Sequence, residues 1–482
     1  MARKWQILLI VSLGTFMGSL DVFIVNVAFP AIQRDFPGTG LSALSWVLNG
    51  YAIVFAAFLV PAGRIADRIG HRRAFLIGLL VFTSASALCG VALGTEMLVA
   101  ARVVQAVGAA LLTPTSLALI LPAFPGSQRA LAVGAWSAIS GIAASIGPTV
   151  GGLLVQSSWR WVFFVNVPIG LLCAIATLRV VSGEARDREP GPRPDLLGAV
   201  LLALGIAVLT LGIVEGPHWG WVGIRTVGAA LTAILLLVAF VTRSARHPAP
   251  VVDLPLLRIR SFVIACFGTA MIGAGLAAVL LSLILFMTTK WDYSVLRAGL
   301  GITPGPMMAG TFSILGGRLA SRFAPRLLTT IGALAFGAGG AWWVVFVGQS
   351  PHYAPALLPG MLLTGIGVGL TWAPLTTVAA ASLPLDRSAT GLAVLSMARQ
   401  IGTALGIAIL VAIIGTPAHD TPVALFRHGW LFIVAVAVLD GLAVRALRPM
   451  SKGIPGVVEQ PARPGLASAG IEERTPAAQP LR

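Results

Sequence analysis

Gly63 to Arg73 reads GRIADRIGHRR and Gly317 to Arg326 reads GRLASRFAPR, with five identities over ten aligned positions. Each segment closes an apolar run of about 20 residues, the length that crosses a hydrocarbon core of about 30 Å. Such a run must be helical, because no water in the bilayer core satisfies an open backbone. Each segment also follows the second apolar run of its own half of the chain. A repeat in that register predicts two parallel sets of six helices, with a binding site between them near mid-membrane depth.

Pro, Gly and charge bound the first-half runs at 6–29, 43–63, 73–94, 97–121, 130–156 and 161–181. The second half gives 261–288, 296–318, 327–348, 355–382, 389–415 and 429–446. Between the halves, a polar stretch from Ser182 to Pro194 precedes two further runs, 195–215 and 224–242. Trp219 and Trp221 in the turn joining those runs suit a membrane interface. An inserted pair of helices keeps the second half in the orientation of the first, whereas a single helix would invert it. The chain is therefore expected to be an all-α membrane protein with fourteen transmembrane helices. Its four parts are a six-helix bundle over 1–182, loops with two linker helices over 183–260, a second six-helix bundle over 261–447, and a tail over 448–482. The Pro, Gly, Ala and charge of the tail predict disorder.

Composition agrees with the count of runs. Hydrophobic residues make up 57% and charged residues 10%, against about 25% charged in soluble domains. The formal net charge of +16 does not mark a nucleic-acid surface, because the 33 basic residues form no single patch. Twenty-one of them collect at one end of the spans, and only Arg34, Arg160, Arg225, Lys290, Arg297 and Arg427 lie at the other. By the positive-inside rule the crowded end is cytoplasmic, and so are both termini. The first run exceeds a signal-peptide core and lacks a small-residue cleavage site, so it is expected to be the first membrane helix. Cys89, Cys173 and Cys266 fall inside apolar runs at unrelated spacings and read as small core residues, with no disulfide or metal pattern. Arg greatly outnumbers Lys, a bias of high-GC bacterial genomes, which makes a bacterial cytoplasmic membrane the expected location.

The GRIADRIGHRR loop resembles the segment between the second and third helices of the major facilitator superfamily. LDVFIVNVAFP (Leu20 to Pro30), ARVVQAVGAA (Ala101 to Ala110), GIAASIGPTVGG (Gly141 to Gly152) and WRWVFFVNVPIG (Trp159 to Gly170) resemble the superfamily's fourteen-helix drug:proton antiporters. MARQIGTALG (Met397 to Gly406) resembles the penultimate helix of that branch. The resemblance covers residues 1–447 and implies a major-facilitator fold of two six-helix bundles plus two linker helices. It implies export of drugs or other small amphipathic molecules in exchange for protons, with no cofactor beyond the proton gradient and a monomer in the lipid bilayer. It also implies that the GRIADRIGHRR loop latches the two halves in one access state. The Gly141 to Gly152 segment matches the antiporter motif, which favours export over import.

The same residues carry physical readings of their own. Gly63 and Gly70 allow a tight turn. Asp67, a lone acid among Arg68, Arg72 and Arg73, is placed to accept from a facing helix N-terminus or an Arg. By the resemblance, Gly63, Asp67, Arg68 and Gly70 are expected to gate a conformational change. Gly147, Gly151 and Gly152 leave a nearly side-chain-free helix face, and Pro148 promotes a bend. Such faces let membrane helices approach closely, which makes this a second gating element.

Ionisable groups inside membrane spans are functional by default. Asp21 in the first run and Arg102 in the fourth lie within about 6 Å of the same depth, at about 1.5 Å per residue. They are expected to share a solvent-filled cavity as the proton-coupling pair. Apolar surroundings disfavour a charged carboxylate, and a neighbouring Arg opposes that effect. Arg399 and Gln400 are expected to face the cavity from the second half. Asn26, Asn49, Tyr51, Gln105, Trp136 and Trp372 complete the candidate substrate cavity, since apolar pockets with a few polar groups suit drug-like ligands. Asp440 is expected to pair with Arg445 near the cytoplasmic surface, and Glu215 to be solvated.

Other classes fit less well. A membrane enzyme should show catalytic or metal-ligating clusters, whereas all six histidines sit in or beside loops at no ligand spacing. No Walker-type loop is present, so ATP does not drive the chain directly. A channel would need a pore ring in place of two repeated halves. A proton-coupled importer of a metabolite is the nearer alternative, and only the Gly147 to Gly152 segment and the helix count speak against it. The expected partners are a small-molecule substrate, protons and lipid.

Overall fold

The computed structural model describes residues 3–181, 192–320, 322–384, 387–416 and 421–447. The tail predicted to be disordered, 448–482, and most of the Ser182 to Pro194 stretch lie outside these residues. The described residues form sixteen α-helices and no strand. The first runs appear as α1 (Arg3–Asp35), α2 (Leu41–Ile69), α3 (His71–Gly90), α4 (Thr95–Ala123), α5 (Arg129–Ser157), α6 (Trp161–Phe164) and α7 (Asn166–Val180). The inserted pair is α8 (Leu196–Trp219) and α9 (Ile224–Arg246). The last set comprises α10 (Arg260–Thr289), α11 (Val295–Ile302), α12 (Pro304–Leu319), α13 (Pro325–Phe346), α14 (Leu358–Ser382), α15 (Ser388–Ile414) and α16 (Val423–Arg445).

Thirteen helical stretches among the described residues are long and apolar enough to cross a membrane. The fourteenth expected span, 296–318, is present as α11 followed by α12, each too short alone. Proline explains the division. Pro304 and Pro306 bring no N–H to the carbonyls one turn earlier, and their rings crowd that turn. Thr303 keeps helical angles (φ −50, ψ −38) and its N–H reaches the Gly299 and Leu300 carbonyls, so helical geometry carries through the break. Pro168 acts in the same way on the sixth span. It leaves the Phe164 carbonyl without an N–H four residues on, and the helix divides at Val165.

Within the first set, α3 and α2 pack on α4, and α1 packs on α5. Within the last set, α13 and α12 pack on α14, and α10 packs on α15. Among the described residues two main seams join the sets, α2 along α15 and α5 against α11 and α12, and α1 also meets α10 and α11. The inserted helix α8 packs against both α2 and α15. Ala199, Leu202 and Ile206 of α8 share an apolar cluster with Ala56 and Val60 of α2 and Val394 and Leu395 of α15. Asp195 anchors the start of α8, accepting from the Gly198 N–H at 2.8 Å and from Arg243 Nε of α9 at 2.6 Å. The partner helix α9 leaves Leu231, Ile234, Leu235 and Val238 exposed, as lipid contact requires.

The Arg-rich helix ends gather on one side, here termed the basic end. There Arg3 of α1 donates to the Val180 carbonyl and Arg72 of α3 to the Leu178 carbonyl, both closing α7. At the opposite end Arg160 and Trp159 both donate to Asp35 at 2.8 Å, and the Leu41 N–H donates to Thr416 across the two sets at 3.0 Å.

Candidate functional site

Helices α1, α3, α4 and α7 build a polar centre inside the first set. Arg102 and Gln105 of α4 are three residues apart and share a helix face. Arg102 Nη1 donates to Asp21 Oδ2 of α1 at 2.5 Å and to Gln105 Oε1 at 2.7 Å. Its Nε donates to the Val47 carbonyl of α2 at 3.2 Å. Gln105 Nε2 donates to Asp21 Oδ1 at 2.9 Å, and Asn166 Nδ2 of α7 donates to the same oxygen at 3.2 Å. Asn166 also donates to Ser86 Oγ of α3 at 3.0 Å, and Ser86 in turn donates to the Phe163 carbonyl at 2.9 Å. The Tyr51 ring lies 4.1 Å from Arg102 Cζ, a cation–π contact that covers the guanidinium. Both carboxylate oxygens are occupied and the two charges cancel, which is what a charge removed from water requires.

Asp21 is 0% and Arg102 1% exposed. Their common depth brings them into contact as expected. They do not share a solvent-filled cavity, because Tyr51, Phe163 and the polar neighbours close over them. Gln105 and Tyr51 likewise belong to this sealed centre and do not line open space. Sequence alone does not single out Asn166 or Ser86. Asn166 stands within WRWVFFVNVPIG, and an amide inside an apolar span is the signal that points to it.

The other cavity candidates are dispersed. Asn26 turns back on its own helix, donating to the Val22 carbonyl at 2.8 Å. Asn49 is buried, with Nδ2 3.5 Å from Ser45 Oγ. Trp136 Nε1 donates to Thr15 of α1 at 3.1 Å and to Ser116 of α4 at 3.2 Å, tying α5 to both. In the last set Trp372 and Arg399 meet, with the guanidinium 4.3 Å from the indole ring. Among the described residues no acid pairs with Arg399, and Gln400 beside it is buried.

The small residues of α5 serve two neighbours. A Cβ on Gly147 would stand 2.7 Å from Phe23 Cβ, and one on Gly151 would stand 3.1 Å from Ile24 Cα, so both face α1. A Cβ on Gly152 would stand 2.8 Å from Leu296 Cα of α11, and the Pro148 carbonyl packs on Gly299 of the same helix. Thr149 and Thr303 share a hydrogen bond of 2.8 Å across this seam. Toward the basic end the contact fades. The Gly310 position is 4.0 Å from Ser145 Oγ, and a Cβ added at Gly141, Gly134 or Gly317 would meet nothing within 4 Å.

In the GRIADRIGHRR segment only Gly70 makes the turn, at φ +93, a left-handed value that favours glycine. Gly63 lies inside α2, where a Cβ would meet Pro114 of α4 at 3.7 Å, an ordinary contact. Among the described residues Asp67 accepts from neither an Arg nor a facing helix end. Its side chain is 67% exposed and stands 3.7 Å from His71, the residue one turn on and therefore its nearest partner. Arg68 lies in the same last turn of α2.

Asp440 departs furthest from expectation. It is 0% exposed, and neither carboxylate oxygen has a hydrogen-bond partner among the described residues. Arg445 is exposed and does not pair with it. Five positions along a helix of about 3.6 residues per turn place two side chains about 140° apart, so Asp440 faces inward while Arg445 faces out.

The chain matches the family model of the Major Facilitator Superfamily over residues 11–407. It is 36% identical over 417 residues to the multidrug resistance protein Stp of Mycobacterium tuberculosis, covering 86% of this chain and 76% of that protein. It is 34% identical over 461 residues to the cephamycin export protein CmcT of Amycolatopsis lactamdurans, covering 92% of each. The solved D-xylose–proton symporter superposes with a TM-score of 0.65 at 17% identity, over 92% of this chain and 98% of that one. This multi-pass membrane protein is a transporter belonging to the major facilitator superfamily.

Proposed function

We propose that the chain is a proton-coupled antiporter of the bacterial cytoplasmic membrane that exports drugs or other small amphipathic organic molecules by alternating access. The sealed Asp21–Arg102 centre is the observation that carries this reading. An acid held by a cation on a neighbouring helix accepts a proton readily only when that contact loosens. Proton binding and helix arrangement are then linked, and the linkage is reciprocal. Gln105 and Asn166 hold the carboxylate in place while the pair is closed.

The α5 seam supplies the moving part. Gly147, Gly151, Gly152 and Pro148 keep α5 close to α1 and α11, while toward the basic end α12 meets α5 only loosely, with the Gly310 position 4.0 Å from Ser145 Oγ. The positive-inside rule makes that basic end cytoplasmic, so substrate enters from the cytoplasm, with Trp372, Arg399 and Asn26 as candidate contacts. Relatives described as multidrug resistance and antibiotic export proteins support the outward direction. The test is uptake of a fluorescent drug into proteoliposomes with an acidic interior. Wild-type protein should concentrate the drug until a protonophore collapses the gradient. Accumulation that survives the protonophore contradicts proton coupling.

A further inference from the structure

Asp21, Arg102, Arg399 and Asp440 all lie inside membrane spans, and three of them have a companion. Asp21 and Arg102 hold each other, and Arg399 stacks on Trp372. Among the described residues Asp440 has none. Its carboxyl is enclosed by α10 and α14: a Cβ on Gly268 would stand 2.6 Å from Asp440 Oδ1 and 2.8 Å from Leu375 Cδ1. Gly268 thus leaves a side-chain-sized space that the carboxyl fills. The helices around Asp440 are α10, α13, α14 and α15, whose titratable groups are Arg260 and Cys266, Arg326, none on α14, and Arg399. Arg427, His428 and Arg445 are those on α16 itself. Among the described residues none of them hydrogen-bonds or ion-pairs with the carboxyl.

Geometry explains why Arg399 does not neutralise it. Arg399 packs on Gly273 of α10, its Cγ 3.2 Å from the Cβ position there, whereas Asp440 packs on Gly268. Five residues of helix separate the two contacts by about 7.5 Å along α10 and about 140° around it. The acid and the cation therefore meet different faces of the same helix. A carboxylate anion buried with neither donor nor cation is far costlier than the neutral acid. This packing favours Asp440 with its proton on. Asp440 is also five residues, about 7.5 Å, from Arg445 at the basic end, so a small parting of α10 from α16 gives it water.

We propose that Asp440 is a second proton-binding site, independent of the Asp21–Arg102 pair, neutral while α10 and α16 are packed together and giving its proton to water at the basic end when they part. One proton moves between a carboxyl oxygen and water, and no other bond changes. Its use in transport rests on the antiport reading above, but its proton binding does not.

Infrared difference spectra of the full-length protein in lipid bilayers, titrated with pH and without substrate, test the site. Wild type should show a protonated-carboxyl C=O band that comes and goes with pH. The band should be absent from Asp440→Asn, shifted in Asp440→Glu, and present in Asp21→Asn. An unchanged band in Asp440→Asn, or a carboxyl band that does not titrate in wild type, overturns the proposal. Wild-type drug accumulation driven by a pH gradient in the same vesicles judges the antiport reading separately. Should Asp440→Asn insert poorly, the shift in Asp440→Glu decides, and a band at the wild-type position there counts against the site.

Discussion

The two helix sets treat their buried charges in opposite ways. In α1–α7 the buried acid is given a cation, two amide donors and an aromatic lid. In α10–α16 the acid and the cation are kept on separate faces of α10, so that each stands without a counter-charge among the described residues. The first arrangement gives its carboxylate a cation, and the second leaves its carboxyl with neither donor nor cation among the described residues. In the mechanism proposed above, the first acid takes up a proton on opening and the second loses one. Removing single partners should show how far this contrast reaches.

Arg102→Ala should have the largest effect. It strands the Asp21 carboxylate, and stranding one member of a buried pair costs about 3–5 kcal/mol. The melting temperature in detergent should fall sharply, and the surviving protein should show an altered pH dependence of transport. The double variant Asp21→Asn, Arg102→Gln should recover much of the lost stability, because it removes both charges together. A double variant no more stable than Arg102→Ala would mean that the network does not act as a pair.

Gly152→Leu should leave expression near wild type and abolish transport. Its side chain would meet the α11 backbone at Leu296, where no rotamer change relieves the contact. Disulfide trapping between cysteines at positions 149 and 303, whose wild-type hydroxyls are 2.8 Å apart, should fail in this variant and succeed without it. Normal transport by Gly152→Leu would reduce the seam to ordinary packing.

The last set should answer with the opposite sign. Asp440→Leu removes an unpartnered buried polar group and should raise stability by about 1–3 kcal/mol, measured by thermal unfolding in the same detergent. A loss of that size would reveal a partner for the carboxyl. Arg445→Ala should change stability by less than about 0.5 kcal/mol, as surface substitutions do. A large loss there would restore the ion pair with Asp440 that the inward-facing geometry denies.

Much of this fold is legible in the sequence, because a bilayer forces length and polarity on every span. The depth match of Asp21 with Arg102 is legible for the same reason, since both residues stand out in apolar runs. The closure of the centre is not, because it depends on Asn166 and Ser86 arriving from two further helices. Asp440 and Arg445 look like a pair along the chain, and only the direction each faces separates them. Pro304 and Pro306 are visible in the sequence, but the division of the span into α11 and α12 follows from which carbonyls they leave unserved. Gly63 and Gly70 look equivalent, yet only Gly70 takes a left-handed angle, because α2 runs past Gly63 and ends at Ile69.

The linkage of protons to transport at Asp21 is tested most directly by comparing wild type and Asp21→Asn in proteoliposomes with two assays. One is accumulation of a fluorescent drug driven by a pH gradient, and the other is drug-for-drug counterflow with no gradient. Asp21→Asn should lose gradient-driven accumulation and keep counterflow, because the pathway remains while its proton carrier is gone, and Asp21→Glu should restore part of the accumulation. Accumulation by Asp21→Asn at the wild-type rate would contradict this linkage and place proton coupling outside the Asp21–Arg102 centre.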